Sequence, residues 1–252
     1  MLPARNEAPR IGAVLARVPA GVTVVVVDDG STDGTGDVAR AWGATVVRTD
    51  GLGLGAAVRV GLRSAVALGA HVVAFCDADG EYDPAEVDAL CAPIVGGDAD
   101  YVVGSRFTGS IHSMRPHRRL GNRALTGVLR ALAGVPVTDG QSGYRALSAD
   151  AARAATITHD FNYAQVLTLE LLRKGFRYAE VPITYSFRSS GDSFVKLVPY
   201  LRRVVPAVAR EWAAWRTPSL VTSPPATTPA VRATTSARSA APASPVPVSP
   251  ST

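Results

Sequence analysis

The sequence predicts an α/β fold, a doubly wound and mostly parallel sheet with helices on both faces. Three observations carry this reading. Strand-like runs alternate with helical segments of crossover length through the first half of the chain. The run Val22–Val27 is continuously β-branched, which suits a strand covered on both faces in a parallel sheet. Each polar cluster in this half falls just after a strand, at the carboxyl ends where such sheets bind their ligands.

The composition sets the outer bounds. With 252 residues, 47% hydrophobic and 19% charged, most of the chain can bury a sizeable core. From Thr217 onward it is built almost wholly of Pro, Ala, Ser, Thr and Val, with Leu220, no acid and no aromatic residue, and Arg232 and Arg238 as its only charges. Residues 217–252 are therefore expected to be a disordered tail. Removing its two arginines from the formal net charge of +5 leaves +3 for residues 1–216, too weak a bias for a dedicated nucleic-acid binder. Cys76 and Cys91 are the only cysteines, and both are expected to behave as small buried hydrophobes in a reducing compartment. No apolar run approaches the roughly 18 residues that span a bilayer, and the first residues form neither a basic n-region nor an h-region, so no secretory leader is expected. A cytoplasmic chain is expected.

In chain order, Met1–Glu7 reads as the end of a strand breaking into a loop, followed by a helix over about 9–17. A core strand normally has more apolar residues in front, so either this strand is very short or the true start lies upstream. Val22–Val27 then ends in Asp28-Asp29-Gly-Ser-Thr-Asp33, with a helix to about Trp42 and a strand over Ala44–Arg48. Gly51-Leu-Gly-Leu-Gly55 opens a helix that runs to Leu68.

The next strand, from Val72, stops at Asp77, and Asp79 and Glu81 follow at alternate positions. Alternate side chains of an extended segment share a face, so these three carboxylates can converge on one hard cation such as Mg²⁺ or Mn²⁺. An acidic solvated turn is the plain alternative. Asp83-Pro84 fits a helix start, with Asp83 as N-cap and Pro84 at the first helical position, and the helix is expected to run to Ile94.

A strand over Asp100–Arg106 leads to a basic segment containing Arg115, His117, Arg118, Arg119 and Arg123. Asp139–Arg145 reads as a polar loop, and 161–174 as a buried helix stopped by Gly175. Glu170 within it either pairs with a cation or points into a site. Tyr178–Tyr185 is the last strand. Residues 194–216 mix Tyr200, Trp212 and Trp215 with Arg202, Arg203 and Arg210. They form either a helix lying in a membrane interface or a packing helix with a basic outer face, kinked by Pro206.

Taken together, Pro3–Glu7, Val27–Thr35, Gly53–Arg59, Asp77–Asp79, Gly104–Arg106, Asp139–Arg145, Glu180–Ile183 and Arg188–Ser193 resemble, in order and spacing, the family 2 glycosyltransferases of the GT-A fold. Within that family they are most similar to the polyprenyl (dolichyl) phosphate mannose or glucose synthases. The resemblance implies a GT-A domain over 1–193, with 194–216 and 217–252 as the amphipathic segment and tail. It also implies that Pro3, Ala4, Asn6 and Glu7 line the nucleotide pocket, and that Asp28 and Asp29 hold base and ribose. Gly55, Arg59, Ala78 and Gln141 join the nucleotide-binding set. Asp77 and Asp79 hold the Mg²⁺ or Mn²⁺ on the diphosphate. Glu81 stands where relatives often have a glutamine that completes the metal shell. Arg106, Arg188 and Ser193 contact phosphates, and Asp79, Asp139, Arg106 and Arg188 form the catalytic group.

The implied reaction moves a hexose, with inversion, from a GDP-mannose or UDP-glucose type donor to a polyprenyl phosphate at the inner face of the membrane. Charge that develops on the departing diphosphate explains why a cation and arginines are wanted. An acceptor phosphate is already anionic and needs no base. A hydroxyl acceptor would need one, and Asp139 or Glu170 are then the candidates. The basic segment and the amphipathic end could supply arginine forks to the acceptor phosphate.

Other classes fit less well. Gly51–Gly55 lacks the G-x-G-x-x-G spacing of a dinucleotide site, no Gly-Lys pair exists for a P-loop, and the first strand has no Gly-x-Gly-x-Arg loop for a nucleotidyltransferase. A non-catalytic sugar-nucleotide binder is the remaining rival from another class.

Overall fold

A computed structural model describes residues 1–157 and 163–186. Among the described residues seven strands fall into two sheets. In the first, β1 (Leu2–Ala4), β2 (Val25–Asp29) and β3 (Thr45–Thr49) pair in parallel with β2 central. Every residue of β2 is buried, the three valines as the apolar run anticipates and Asp28 and Asp29 at its carboxyl end with them. The helices α1 (Ala8–Leu15), α2 (Thr35–Ala41) and α3 (Leu54–Ala67) follow these three strands.

The second sheet has the order β4 (Val72–Phe75), β6 (Arg145–Ser148), β5 (Tyr101–Ser113), β7 (Tyr178–Ser186). Strand β6 is antiparallel to both β4 and β5, whereas β5 and β7 are parallel. Parallel pairings remain the majority, three of five. The Met1 ammonium donates to the Ala74 carbonyl at 2.7 Å, linking the β1 edge of one sheet to β4 of the other. Between β4 and β5 lie a 3-10 turn, Pro84–Glu86, and α4 (Val87–Val95). Further along come α5 (Pro116–Ala133), α6 (Ala149–Ala154) and α7 (Tyr163–Arg173).

Side chains alternate across the strands into two cores, which is the physical content of double winding. On one face Val26, Val102 and Ala146 pack with Ile11 of α1, Ala39 of α2 and Leu90 of α4. On the other, Tyr101, Val103 and Leu147 pack with Val58 and Leu62 of α3, Ala151 of α6 and Leu167 of α7. Full burial of each large apolar side chain contributes about 1.5–3 kcal/mol.

Besides the short helix α6, which the sequence reading did not assign, the structure departs from the sequence expectation in three places. Strand β5 continues seven residues past Arg106, pairing with β7 again from Ser110 after an irregularity. Thr108-Gly-Ser110 reads locally as a turn, and only the partner strand overrides it. The basic segment is the start of an 18-residue helix, α5, with Pro116 at its first turn and Gly134 as a left-handed C-cap. Strand β6 occupies what reads only as the end of a loop. Its four residues, Arg-Ala-Leu-Ser, contain no β-branched or aromatic side chain.

Among the described residues no helix is long and apolar enough to cross a membrane. The segments 187–193, 194–216 and 217–252 lie outside the described residues, as do the expectations attached to them.

Candidate active site

The loops that leave β1 and β2 are built around fixed carboxylates. Asn6 takes a left-handed backbone, φ 55°, a conformation that asparagine tolerates better than most residues. Its side-chain oxygen accepts from Thr32 N at 2.9 Å, and its own N–H donates to Ser31 Oγ at 3.0 Å. Glu7 N donates to Thr35 Oγ1 at 2.8 Å and Glu7 Oε2 meets Arg10 at 2.9 Å. Asp28 is buried, accepts from Ser31 N at 2.9 Å, and lies 3.7 Å from Arg48. Asp29 accepts from Thr49 Oγ1 at 2.7 Å, Leu52 N at 2.8 Å and Gly53 N at 2.9 Å. It thereby pins the glycine-rich entry of α3 to the end of β2. Gly30 is required here: φ is +73°, and a Cβ would stand 2.9 Å from Gly51 N. Pro3 and Ala4 are buried in and beside this frame, and Gly55 is buried in the first turn of α3. Arg59 donates to the Ile157 carbonyl.

Strand β4 delivers the acidic loop. Asp77 and Asp79 are half-buried and Ala78 between them is buried. Glu81 N donates to Asp79 Oδ1 at 3.0 Å, so the turn orients that carboxylate. The Glu81 side chain accepts from the Tyr185 hydroxyl at 2.8 Å. Among the described residues no three histidine, cysteine or acidic side chains gather closely enough to hold a metal. A pair of aspartates does fit a divalent cation whose other ligands are phosphate oxygens and water, the usual way Mg²⁺ is bound beside a phosphate substrate. Asp83 caps the 3-10 turn as expected, accepting from Ala85 N at 3.0 Å, with Pro84 at its first position.

The loop before β6 closes over this acid. A Cβ on Gly143 would lie 2.9 Å from Asp77 Oδ2 and 3.3 Å from the Tyr82 ring. Gly143 N donates to the Tyr82 hydroxyl at 2.8 Å. Burial pushes the phenols of Tyr82, Tyr144 and Tyr185 above their ordinary value. Arg145 is wholly buried and spends its donors on oxygen atoms: Ser142 O at 2.8 Å, Ala164 O at 2.8 Å, Thr168 Oγ1 at 3.1 Å and Gly140 O at 3.2 Å. The loop is thus pinned to α7 by a charged side chain in its own interior.

Asp139 and Arg106 form a buried pair. Arg106 Nε reaches Asp139 Oδ2 at 2.6 Å, Nη2 reaches Oδ1 at 2.8 Å, and Arg106 N adds a third bond at 3.1 Å. Gln141 N also donates to Asp139, at 3.2 Å. Asp139 is therefore the holder of Arg106 in this structure, with no face turned to a hydroxyl that it could deprotonate. Glu170 resolves the same way: it is buried, paired with Lys174 one helical turn on, and accepts from Thr156 N at 3.0 Å. The pairing alternative is the one observed.

Two participants were given no role from sequence, although Glu180 opens the matching stretch Glu180–Ile183. Tyr185 stands under the Arg106 guanidinium, 5.1 Å from ring centroid to Cζ. Glu180 accepts from Thr138 N at 2.8 Å and Asp139 N at 3.2 Å, fixing the backbone that carries Asp139. An acid in the middle of the strand Tyr178–Tyr185 was the available signal for Glu180. Tyr185 gave none. Arg188 and Ser193 lie outside the described residues. Beyond the acidic loop an open groove of about 480 Å³ is lined by Ile111, His112, Ser113, Met114, Arg115 and Arg119.

Solved structures share this frame. Glucosyl-3-phosphoglycerate synthase from Mycobacterium tuberculosis, in complex with Mn²⁺, UDP-glucose and phosphoglyceric acid, matches with a TM-score of 0.63 and 24% identity over 84% of this chain and 78% of that one. The shared fold is the GT-A fold. The model of glycosyl transferase family 2 matches residues 1–154, and the chain belongs to that family. Relatives include the undecaprenyl-phosphate mannosyltransferase of Micrococcus luteus, 33% identical over 77% of this chain and 85% of its own length. The polyprenol monophosphomannose synthase of Mycolicibacterium smegmatis is 31% identical over 77% and 78%. Glycosyltransferase AglJ of Haloferax volcanii is 33% identical over 76% of this chain, which spans 64% of that protein's length.

Proposed function

We propose that this glycosyltransferase moves a hexose, with inversion, from a nucleoside-diphosphate sugar to a polyprenyl phosphate at a membrane surface. The observation that carries the choice of acceptor is the state of the two acids that a hydroxyl acceptor would call on. Asp139 and Glu170 are both buried and both paired with a cation. A phosphate acceptor is ionised at neutral pH and attacks without giving up a proton, so this site has no missing base to explain. The names of the Micrococcus and Mycolicibacterium relatives point the same way.

On this reading Asp28, Asp29 and the loops at Pro3–Glu7 receive the nucleoside, and Asp77 and Asp79 would hold Mg²⁺ or Mn²⁺ against the diphosphate. The cation, when bound, neutralises charge on the leaving diphosphate. Tyr82 and Gly143 pack beside Asp77 on one side of the acidic loop. The acceptor phosphate enters by the groove at Arg115 and Arg119, where guanidinium forks match phosphate oxygens.

Helix α5 supports a peripheral membrane location for this domain of residues 1–193. It buries Thr126, Leu129 and Ala133 and leaves Leu120 (72% exposed) and Val128 (56%) in solvent. From Arg115 to Ala133 there are five arginines and no acid. Apolar side chains on an outward face beside arginines suit an anionic lipid surface.

The test is a transfer assay with the full chain, Mg²⁺ or Mn²⁺, labelled GDP- and UDP-sugars and a short polyprenyl phosphate. Label in an organic-extractable, mild-acid-labile product is expected, and its loss in Asp79→Ala. Donor hydrolysis with no lipid product would move the acceptor to a hydroxyl. Turnover that survives Asp79→Ala would sink the metal-assisted reading.

A further inference from the structure

The acidic loop and the end of β7 are stitched together by contacts that metal binding does not call for. Glu81 O accepts from Ser186 N at 3.0 Å, and Glu81 Oε2 accepts from the Tyr185 hydroxyl at 2.8 Å. Tyr82 and Tyr185 form an isolated antiparallel bridge, with their rings edge to face at 5.5 Å. One turn on, both carboxylate oxygens of Glu86 accept from Thr184 N, at 3.0 and 3.1 Å. The ring of Tyr185 also carries the Arg106 guanidinium.

We infer that Tyr185 and Glu81 are positioning residues: the Tyr185 hydroxyl holds Glu81, and the Glu81 amide in turn orients the Asp79 carboxylate, so Glu81 braces the aspartate pair instead of completing a metal shell. Two observations carry this. The Glu81 carboxylate is directed to a hydroxyl on the neighbouring strand, and Asp77, Asp79 and Glu81 do not form a three-acid cluster. The relay is short and directional: Tyr185 hydroxyl to Glu81 Oε2, then Glu81 N to Asp79 Oδ1 at 3.0 Å. The same tyrosine pair steadies the loop beside the other aspartate, since the Tyr82 hydroxyl accepts from the amide of Gly143, on which a Cβ would lie 2.9 Å from Asp77 Oδ2. A hydroxyl-to-carboxylate bond of this kind is among the stronger hydrogen bonds, because its acceptor is charged.

The inference rests on the metal-assisted reading above but not on the acceptor, so its test leaves the acceptor out. Mn²⁺ is titrated into the full chain with UDP or GDP, and free Mn²⁺ is read by electron paramagnetic resonance. Unaltered protein is compared with E81A, E81Q, Y185F and the E81A/Y185F pair, and melting temperatures confirm that each variant is folded. E81A and Y185F are expected to weaken Mn²⁺ by a similar factor, about five- to tenfold for one charged hydrogen bond acting indirectly. The double variant should lose no more than the weaker single, because both break one contact. E81Q, whose amide oxygen still accepts from Tyr185, should stay within about twofold. A Y185F protein with unaltered Mn²⁺ affinity beside a weakened E81A would make Glu81 a ligand in its own right and overturn the inference. So would losses that multiply in the double variant, or no loss in either single. No Mn²⁺ binding by the unaltered chain would overturn the metal-assisted reading itself, and this role with it.

Discussion

The Asp139 carboxylate grips the Arg106 guanidinium through both oxygens, 2.6 Å from Nε and 2.8 Å from Nη2, with neither side chain more than 6% exposed. This pair links the long strand β5 to the loop that enters β6, next to the acidic loop.

Removing one member strands the other as a buried charge. Asp139→Ala is expected to destabilise the fold by about 3–5 kcal/mol. Urea unfolding followed by circular dichroism measures it. A loss under about 1 kcal/mol would mean that water replaces the carboxylate freely and that the pair is not a structural anchor.

Asp29→Ala removes one acceptor from three donors, Thr49 Oγ1, Leu52 N and Gly53 N. Each donor left without a partner costs about 1–3 kcal/mol unless water reaches it. The amides of Leu52 and Gly53 should exchange hydrogen faster, and the donor KM should rise. Unchanged exchange at both amides would show that the loop holds itself.

A methyl group at residue 143 tests the closeness of loop and acid. Gly143→Ala must displace the Asp77 carboxylate or the Tyr82 ring, and a tenfold or larger loss of kcat is the expected result, on the order of 1.4 kcal/mol in the barrier. Gly127→Ala on α5, where nothing lies within 4 Å of the new Cβ, is the control. It should leave turnover intact and raise stability by up to about 1 kcal/mol through helix propensity.

Asp100 gives a pH signature. Hydrogen bonds from Arg177, at 2.9 and 3.0 Å from the side chain, hold its carboxyl below the usual carboxylate range. A group with a lowered folded pKa contributes stability above its unfolded value, about 3.9, and loses it as pH falls through the folded value. Melting temperature should therefore drop more in the unaltered protein than in Asp100→Asn between about pH 5 and pH 3. The difference will be small, because the pair is open to solvent and screened. Parallel curves would show that the contact carries no linkage.

Much of the frame is legible in the sequence because local pattern and burial agree there. Val22–Val27 is a buried strand from Val25, Asp83-Pro84 starts a helical turn, and Gly175 ends α7, each for a reason written within a few residues. What escapes the sequence is set by partners distant along the chain. The second half of β5 is a strand because β7 lies beside it, over a stretch whose own residues favour a turn. Asp139 reads as a free acid until Arg106, thirty-three residues earlier, is brought to it. Alternation along Asp77–Glu81 suggests convergence of three acids, yet the turn at Gly80, φ +81°, breaks the extended geometry on which alternation depends.

The antiparallel insertion of β6 also orders the events by which the chain becomes a protein. The sheet β1–β2–β3 has all its strands by Thr49 and can close early in synthesis. Strand β4, which leads into the acidic loop at Asp77, pairs in register with Arg145–Ser148, so its ladder waits for more than seventy further residues. Until then its edge is open to wrong partners, in the slow regime of distant pairings. A nascent chain of this protein can thus complete the sheet β1–β2–β3 well before the ladder beside its acidic loop, and a pause in translation before Ser148 would prolong the exposure of that unpaired edge.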